Sequence, residues 1–284
     1  MIDLHTHSSA SDGALSPADL VRHAALAGLR ALALTDHDTV GGIEEARFEA
    51  RLKGLVFIPG VEIEIDFDPG EFHLLGLGIH AENLALQVAL ASLAAGRRER
   101  NEAMVDLLSR EGMPIDLDEL AIHTPTERIG RPHLAQALVR SGKVKTKQEA
   151  FDRFFGKGRP FYLPKECLGL ETVLRLIADS GGIAVVAHPY SLYVSKARLA
   201  SLMDGWKEMG IQGIEAYHPA AKLGQCRILE RMARERGFIV TAGSDFHDRQ
   251  KPICGIGKTS GGIPVADAYF SELQSVLPEL ESLT

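Results

Sequence analysis

The chain has 284 residues, of which 45% are hydrophobic and 24% charged, with 31 basic and 38 acidic side chains. This composition is ordinary for a folded globular protein and excludes disordered, collagen-like and coiled-coil classes. A formal net charge of -7 disfavours general binding to nucleic acid, because phosphate backbones attract excess lysine and arginine. At this length we expect one large domain, or one domain that carries an insertion.

The first residues, MIDLHTHSSASDG, lack the basic and then apolar segments that mark a signal peptide. No stretch approaches the roughly 18 consecutive apolar residues of a membrane span. We therefore expect a cytoplasmic protein with no membrane partner. The three cysteines, Cys167, Cys226 and Cys254, are far apart in the sequence, which argues against a disulfide framework and against a thiolate metal site.

Short runs rich in Val, Ile and Leu alternate with helical patterns in both halves of the chain. These runs lie at 31–37, 55–65, 72–79, 183–189, 213–219 and 238–247. Such alternation predicts an α/β fold with strand–helix units and a parallel sheet or barrel. Ser16 and Pro17 form an N-cap signal before an apolar pattern that extends to Gly28, and further helical patterns cover 170–180 and 220–236.

Residues 84–165 do not show this alternation of strands and helices, since they contain long helical patterns and no convincing buried strand. We interpret them as a helical insertion, a substrate-recognition subdomain, between the two parts of a main domain at 1–83 and 166–284. Within the insertion, residues 128–165 carry ten basic and two acidic side chains, a local net charge of +8 that leaves -15 elsewhere. This asymmetry predicts either a solvated helix face or a surface for an anionic substrate.

Side chains of metal-ligand type lie at or near the ends of the predicted strands. His5 and His7 form an HxH pair, and strand alternation places both rings on one face. The other members of the set are Asp12, His37, Glu62, His73, His188, Asp245 and His247. Any one of them is compatible with packing or capping. The whole set is hard to attribute to packing, and catalytic residues of barrel-like folds collect at the C-terminal ends of the strands.

These residues resemble the PHP (polymerase and histidinol phosphatase) family along both ends of the chain. The motifs are His5-Thr6-His7, Asp12, Thr35-Asp36-His37, Glu62, His73, Ala187-His188-Pro189 and Ser244-Asp245-Phe246-His247. The resemblance implies a distorted (β/α)7 barrel of the amidohydrolase group with up to three divalent metal ions. Segments 97–101, 130–133 and 215–219 are similar to the branch of 3',5'-nucleotide bisphosphatases and 5'-3' exoribonucleases.

The resemblance also implies how the ligands are shared among three ions. The expected sets are His5, His7, Glu62 and Asp245 for the first ion, Glu62, His73 and His188 for the second, and Asp12, His37 and His247 for the third. Nitrogen and oxygen ligands without sulfur suit Mn²⁺, our first choice, and also Fe²⁺ or Zn²⁺. The positive charge of three such ions is larger than the negative charge of the three carboxylates. We therefore expect the pocket to be positive and to attract phosphate.

The predicted reaction is metal-assisted hydrolysis of a phosphomonoester or a terminal phosphodiester. The expected substrates are 3',5'-nucleotide bisphosphates, such as adenosine 3',5'-bisphosphate, and short RNA cleaved from its 5' end. One alternative is a phosphatase for a small metabolite such as histidinol phosphate. Another is a non-catalytic metal-binding interaction module, against which the complete ligand set argues. No obligate protein partner is evident in the sequence.

His218 is the candidate proton donor to the leaving oxygen, with simple packing against Pro219 as the alternative. Tyr162, Tyr193 and Tyr217 are candidates for stacking on a base or for ordinary packing. The insertion supplies candidates for binding a second phosphate or a base, with a solvated basic helix as the alternative. They are Arg97, Arg100, Asn101, Arg128, Arg131 and His133.

Overall fold

A computed structural model of the chain describes residues 1–121, 129–248 and 255–277. The chain forms two compact units, one comprising residues 1–88 and 168–284 and the other residues 89–167. In the described ranges, no helix combines the length and the apolar character that crossing a membrane requires.

The first unit is built around a seven-stranded sheet whose strands follow one another in chain order. They are β1 (Ile2–Asp3), β2 (Ala31–Leu34), β3 (Val56–Ile65), β4 (Phe72–Leu77), β5 (Ile183–Ala187), β6 (Gly213–Tyr217) and β7 (Ile239–Ala242). The segments after β1 and β7 pair with each other, because Asp245 N donates to the carbonyl of His5 at 2.9 Å and Thr6 forms a bridge with Phe246. The sheet is therefore a nearly closed barrel, as predicted.

Strand β4 distorts this barrel because it runs antiparallel to both β3 and β5, whereas the other neighbouring strands are parallel. Of the expected parallel sheet or barrel, the barrel is confirmed, but the parallel direction was wrong for this strand. Only residues 66–71 separate β3 from β4, and so short a connection can join antiparallel strands but not parallel ones. As a consequence, the beginning of β4 lies at the same edge as the ends of its neighbours.

Ten helices belong to the described part of the chain. They are α1 (Pro17–Leu26), α2 (Ile43–Lys53), α3 (Leu84–Arg110), α4 (Leu117–Ala121), α5 (Arg131–Arg140), α6 (Lys147–Ala150), α7 (Leu170–Asp179), α8 (Lys196–Glu208), α9 (Leu223–Glu235) and α10 (Asp267–Val276). The predicted cap of α1 is present, since the hydroxyl of Ser16 accepts a hydrogen bond from Asp19 N at 3.1 Å. A 3₁₀ helix at Pro189–Leu192 follows β5, and short strands β8 (Lys258–Thr259) and β9 (Ile263–Pro264) precede α10.

The core of the first unit consists of alternate residues of the strands together with side chains of α10. Ile2, Ala33, Ile58, Leu75 and Val185 contribute from the strands, and all are buried. Phe270 and Leu273 of α10 belong to the same cluster. Each fully buried aliphatic or aromatic side chain contributes about 1.5–3 kcal/mol relative to an exposed one. This packed interior provides a rigid base for the residues at the strand ends.

The second unit has its own hydrophobic cluster, built from α3, α5 and a π-helix at Phe151–Phe155. Met104, Leu108, Leu134, Leu138 and Phe155 are fully buried in this cluster. The described part of this unit contains helices and no strand. The division of the chain into a main domain at 1–83 and 166–284 and an insertion at 84–165 stays a prediction. The role of the insertion as a substrate-recognition subdomain also stays a prediction.

Candidate metal centre

The strand ends of the barrel bring the ligand-type side chains together at one edge. His5 and His7 follow β1, His37 follows β2, and Glu62 lies inside β3. His73 lies near the start of β4, and the reversed direction of that strand brings it to the same edge, paired in register with Glu64. His188 follows β5, whereas Asp245 and His247 follow β7.

Three groups of these side chains have ligand atoms within 4.8 Å of one another. The groups are His5, His7, Glu62 and Asp245; His37, Glu62 and His73; and His7, Asp12, His37 and His247. The first equals the set expected for the first ion. The second contains His37 in place of His188, and the third contains His7 in addition to the expected residues. The division of ligands among individual ions stays a prediction.

The carboxylate of Glu62 lies at the centre of the cluster and is completely buried. Its Oε1 is 2.8 Å from Nδ1 of His73 and 3.0 Å from Nε2 of His188. Its Oε2 lies 3.2 Å from a ring nitrogen of each of three further residues, His5, His7 and His37. A carboxylate offers about four acceptor sites, fewer than the five imidazoles around it. This crowding fits a carboxylate that bridges cations better than one that only accepts hydrogen bonds.

His7 provides a second indication that the residues fit metal ions. Its Nε2 lies 3.1 Å from Oδ1 of Asp245, while its buried Nδ1 has no hydrogen-bond partner among the described residues. Nδ1 is 3.9 Å from Oδ1 of Asp12, too far for a hydrogen bond. That oxygen lies 3.1 Å from Nε2 of His247. A buried nitrogen without a partner is costly, and a cation between these groups would relieve that cost.

The charges of the cluster shift the pKa values of its members in opposite directions. Burial lowers the pKa of His5, but Glu215, Glu62 and Asp245 together raise it well above its ordinary value. The same competition between burial and carboxylates raises the pKa of His7 to about 10. Burial opposes ionisation of Glu62, but the surrounding histidines hold its pKa well below the usual range. The carboxylates thus favour a positive charge on His5 and His7, and divalent ions would supply positive charge at the same place when bound.

Glu215 is a buried carboxylate whose role the sequence did not reveal, although it belongs to one of the quoted motifs. Its Oε1 lies 3.0 Å from Nδ1 of His5, and its Oε2 accepts the backbone N–H of His188 at 2.8 Å. Burial alone would raise the pKa of Glu215, but His5 and the other nearby histidines outweigh burial and bring this pKa below its ordinary value. The carboxylate is therefore ionised. The sequence did contain one indication of this role. Glu215 lies within the apolar strand GIEAY, and a buried carboxylate without a partner is costly.

Asp36 orders the loop that carries His7 and Asp12. It accepts hydrogen bonds from the backbone N–H of Ser8 at 2.7 Å and from the hydroxyls of Ser8 and Ser11 at 2.6 Å. All three residues are buried. Asp36 therefore positions the loop after β1, and the motif Thr35-Asp36-His37 combines this structural carboxylate with an adjacent ligand-type histidine.

His218 lies beside the cluster, with Nε2 at 3.2 Å from Oδ2 of Asp245. Its Nδ1 accepts the backbone N–H of Ala220 at 3.2 Å. Because Nδ1 is an acceptor, the proton of the neutral ring lies on Nε2. His218 lines a cavity of about 420 Å³, together with Glu62, His73, His188 and Asp245. The proton-bearing nitrogen therefore lies next to the site where a substrate would enter.

The other predicted substrate contacts belong to the second unit. Arg97 and Arg100 are half-buried on α3. Asn101 is buried and donates to the carbonyl of Ile129, which is a structural use of its side chain. Arg131 donates to the carbonyl of Phe155 at 3.3 Å. His133 accepts the N–H of Gly130 at the start of α5, and Arg128 lies outside the described residues. Their contact with substrate stays a prediction.

Residues 3–154 match the family model of the PHP domain. The chain belongs to the PHP domain family. It is 34% identical over 275 residues to a 3',5'-nucleoside bisphosphate phosphatase from Chromobacterium violaceum, and the match covers 96% of each chain. It is also 35% identical to a 5'-3' exoribonuclease from Haemophilus influenzae, with 86% of this chain and 89% of the relative covered.

A solved structure has a similar fold. The chain resembles a protein from Bifidobacterium adolescentis described as a metal-dependent phosphoesterase, with a TM-score of 0.80 and 29% identity over 97% of this chain and 96% of that one. The family match, the barrel and the cluster of candidate metal ligands therefore all support membership of the PHP family. Within this PHP domain, the matched segment contains Glu62, the side chain on which the cluster is centred.

Proposed function

We propose that this PHP-family protein is a metal-dependent phosphoesterase that removes the 3'-phosphate of 3',5'-nucleotide bisphosphates. The observation that carries the proposal is the set of His, Asp and Glu side chains gathered around Glu62 at one end of the barrel. The bisphosphate is favoured by the 34% identity to the Chromobacterium phosphatase along nearly the whole chain. A second activity, release of nucleotides from the 5' end of short RNA, is favoured by the similarity to the Haemophilus exoribonuclease.

Nine side chains would hold up to three divalent ions, with Mn²⁺ as the first candidate because the ligands are nitrogen and oxygen only. They are His5, His7, Asp12, His37, Glu62, His73, His188, Asp245 and His247. When bound, such ions supply Lewis-acid stabilisation of the phosphoryl oxygens and lower the pKa of water. Glu62 lies within hydrogen-bond distance of His5 and His188, and Asp245 lies within that distance of His7, so these proposed ligands are close together.

His218 contributes the proton at Nε2, on the cavity side of its ring. This N–H can donate to the leaving oxygen as negative charge develops there, which stabilises the transition state more than the ground state. Asp245 accepts the same proton at 3.2 Å in the absence of substrate and so orients the ring. The contact from Ala220 N fixes the tautomer, because a second proton on Nδ1 would face another donor.

The basic residues of the second unit would bind the phosphate that is not cleaved. The segment 128–165 carries a net charge of +8, and guanidinium groups bind phosphate through paired hydrogen bonds. Arg97, Arg100, Arg131 and His133 are the proposed contacts, with Arg128 and Asn101 as further candidates. A phosphatase that acts on monophosphates would have no use for this second anion site.

The test is phosphate release by the Mn²⁺-loaded protein from four substrates, measured side by side. These are adenosine 3',5'-bisphosphate, 5'-AMP, histidinol phosphate and a 5'-phosphorylated RNA pentamer. We expect the bisphosphate to be strongly preferred over both monophosphates, with RNA as the second substrate. Preference for histidinol phosphate would contradict the proposal, and no release from any substrate by metal-loaded protein would indicate a binding module.

The site is tested by Asp245→Ala and His188→Ala, with Asp204→Ala as the matched control. Asp204 is an exposed carboxylate on α8 that pairs with Arg236. We expect both site variants to lose bound metal and turnover, and the control to keep both. Full metal content and wild-type turnover in the two site variants would show that the cluster is not the reaction centre.

A further inference from the structure

Of the three tyrosines that the sequence marks as candidates for base stacking, two are already engaged. The hydroxyl of Tyr217 donates to Glu230 at 2.6 Å, and its ring lies 5.6 Å from the ring of Tyr269. The ring of Tyr162 lies under the guanidinium of Arg131 at 5.4 Å. Tyr193 differs from both, because it is 78% exposed and lines the cavity that contains the candidate metal ligands.

The backbone that carries Tyr193 is fixed on several sides. It follows the 3₁₀ helix Pro189–Leu192, which begins directly after His188 and whose two end residues are buried. The hydroxyl of Ser191 donates to the carbonyl of Glu71 at 2.8 Å, and Glu71 N donates to the carbonyl of Ser191 at 2.9 Å. The exposed ring of Tyr193 therefore follows a backbone segment that is held by buried side chains and hydrogen bonds.

The conformation of Tyr193 itself is unusual for a tyrosine. Its φ of 52° and ψ of 35° lie in the left-handed region, which residues with a Cβ rarely adopt. Such a conformation persists only where surrounding contacts stabilise it. The buried Leu192 and the hydrogen-bonded Ser191 directly precede it, and its aromatic ring lines the cavity.

The charge of the cavity indicates which part of a substrate lies beside Tyr193. Glu71, Tyr190 and Ser191 are its neighbours in the cavity wall, and no lysine or arginine is present among the described residues that line the cavity. The negative charge of Glu71 would repel a second phosphate from the part of the cavity beside Tyr193. The uncharged nucleoside end of a substrate would not be repelled, and an exposed aromatic ring is the surface on which a base stacks.

We infer that Tyr193 is a specificity-determining residue that stacks on the base of the nucleotide whose phosphate occupies the metal centre. This inference rests on the proposed function and extends it to the nucleoside half of the substrate. Stacking requires only a π-face, so Tyr193 selects nucleotides over base-free phosphoesters and discriminates little among the four bases. Base–aromatic stacking typically contributes about 1–3 kcal/mol, which corresponds to roughly a 5- to 150-fold change in binding.

The test compares Tyr193→Ala with Tyr193→Phe on two substrates, adenosine 3',5'-bisphosphate and the base-free methyl riboside 3,5-bisphosphate. We expect the ratio of kcat/KM for the nucleotide to kcat/KM for the base-free substrate to fall about 10-fold in Tyr193→Ala, mainly through KM. Tyr193→Phe, which keeps the ring, should retain the wild-type ratio. Phe48→Ala, which removes a 64% exposed ring on α2, is the matched control and should leave the ratio unchanged.

A second readout does not depend on turnover. The Kd of 5'-AMP, measured by calorimetry on the Mn²⁺-loaded protein, should rise about 10-fold in Tyr193→Ala and remain unchanged in Tyr193→Phe and Phe48→Ala. An unchanged ratio and an unchanged Kd in Tyr193→Ala would overturn the inference while leaving the proposed function intact. An equal loss on both substrates would also overturn it, since the ring would then not act on the base. A wild-type protein that hydrolyses neither bisphosphate would overturn both.

Discussion

Nδ1 of His5 lies 3.0 Å from Oε1 of Glu215, and both side chains are almost completely buried. A carboxylate that accepts the outer N–H of an imidazole fixes its tautomer and leaves the other nitrogen free for a metal ion. Nε2 of His5 indeed lies 3.2 Å from Glu62, at the centre of the cluster. Glu215 thus orients a proposed ligand without being one of the nine proposed ligands.

The first prediction follows from this contact. Glu215→Gln keeps an oxygen that can accept from His5 but removes the negative charge that makes the imidazole more basic. We expect the affinity for Mn²⁺ to fall about 10- to 100-fold, as typical for partners of metal ligands. Competition with a fluorescent chelator measures this change. Glu44→Gln, at a 77% exposed side chain on α2, is the control, and an equal affinity in the two variants would contradict the role of Glu215.

A second prediction concerns Gly243, which lies directly before the motif with Asp245. A Cβ at this position would lie 2.4 Å from Cβ of His5 and 2.8 Å from its backbone nitrogen. Gly243→Ala must therefore displace His5 or the loop after β7, and we expect a loss of metal affinity of at least about 10-fold, because ligand geometry is demanding. The measurement is the bound metal per chain after dialysis against a fixed concentration of free Mn²⁺.

The matched control for Gly243→Ala is Gly205→Ala, in the interior of α8. Apart from its chain neighbours and the backbone of α8 itself, no atom of the described residues lies within 4 Å of the Cβ that alanine would add there. Because alanine favours a helix over glycine by about 1 kcal/mol, this variant should be slightly more stable and bind metal like the wild type. Retention of the wild-type metal content by Gly243→Ala would show that the close approach to His5 has no functional consequence.

The sequence predicted the strand ends well because the buried strands are continuous apolar runs followed by polar residues. The run at 31–37 becomes β2 with His37 three residues beyond it, and the run at 183–189 becomes β5 with His188 directly after it. Ser16 also caps α1 as predicted, since the capping signal is local to four residues. Local patterns of this kind are read directly from residue types and their spacing.

What the sequence did not reveal depends on contacts between distant segments. The direction of β4 relative to β3 is an exception, because the short connection 66–71 already requires it, and only the pairing of β4 with β5 joins distant segments. The partnership of Glu215 with His5 joins residues 210 positions apart. The amide of Asn101 and the hydroxyl of Tyr217 bond to other protein atoms, Ile129 and Glu230, and the sequence did not show these contacts. Contacts of this kind join residues that are distant in the chain, and a single sequence does not show which distant residues meet.

A third prediction concerns Asp3, which ties together three separate segments beneath the site. Its carboxylate accepts from Ser244 N at 2.9 Å, the Ser244 hydroxyl at 2.5 Å, Gly257 N at 2.6 Å and His5 N at 3.3 Å. Asp3→Ala leaves these buried donors without an acceptor, at about 1–3 kcal/mol for each unsatisfied group. We expect the free energy of unfolding to fall by at least about 3 kcal/mol, measured by urea denaturation.

The control for Asp3→Ala is Asp204→Ala, where the carboxylate is 60% exposed and forms an ion pair with Arg236. Exposed pairs of this kind contribute about 0–1 kcal/mol. A loss of stability in Asp3→Ala no larger than in Asp204→Ala would mean that water or rearranged donors replace the carboxylate, and the proposed role of Asp3 in holding these segments would be wrong.

The last prediction concerns the second unit, whose cluster is built around Phe155. This side chain is fully buried among Leu134, Leu138 and Met104. Phe155→Ala removes most of its buried ring and leaves a cavity, which typically costs about 3–5 kcal/mol. We expect amide hydrogen exchange within residues 89–167 to accelerate strongly in this variant, as measured by mass spectrometry on peptides. Phe48→Ala removes an exposed ring and should leave exchange in those peptides unchanged. Unaltered protection in Phe155→Ala would show that the second unit does not depend on this core, contrary to the packing observed.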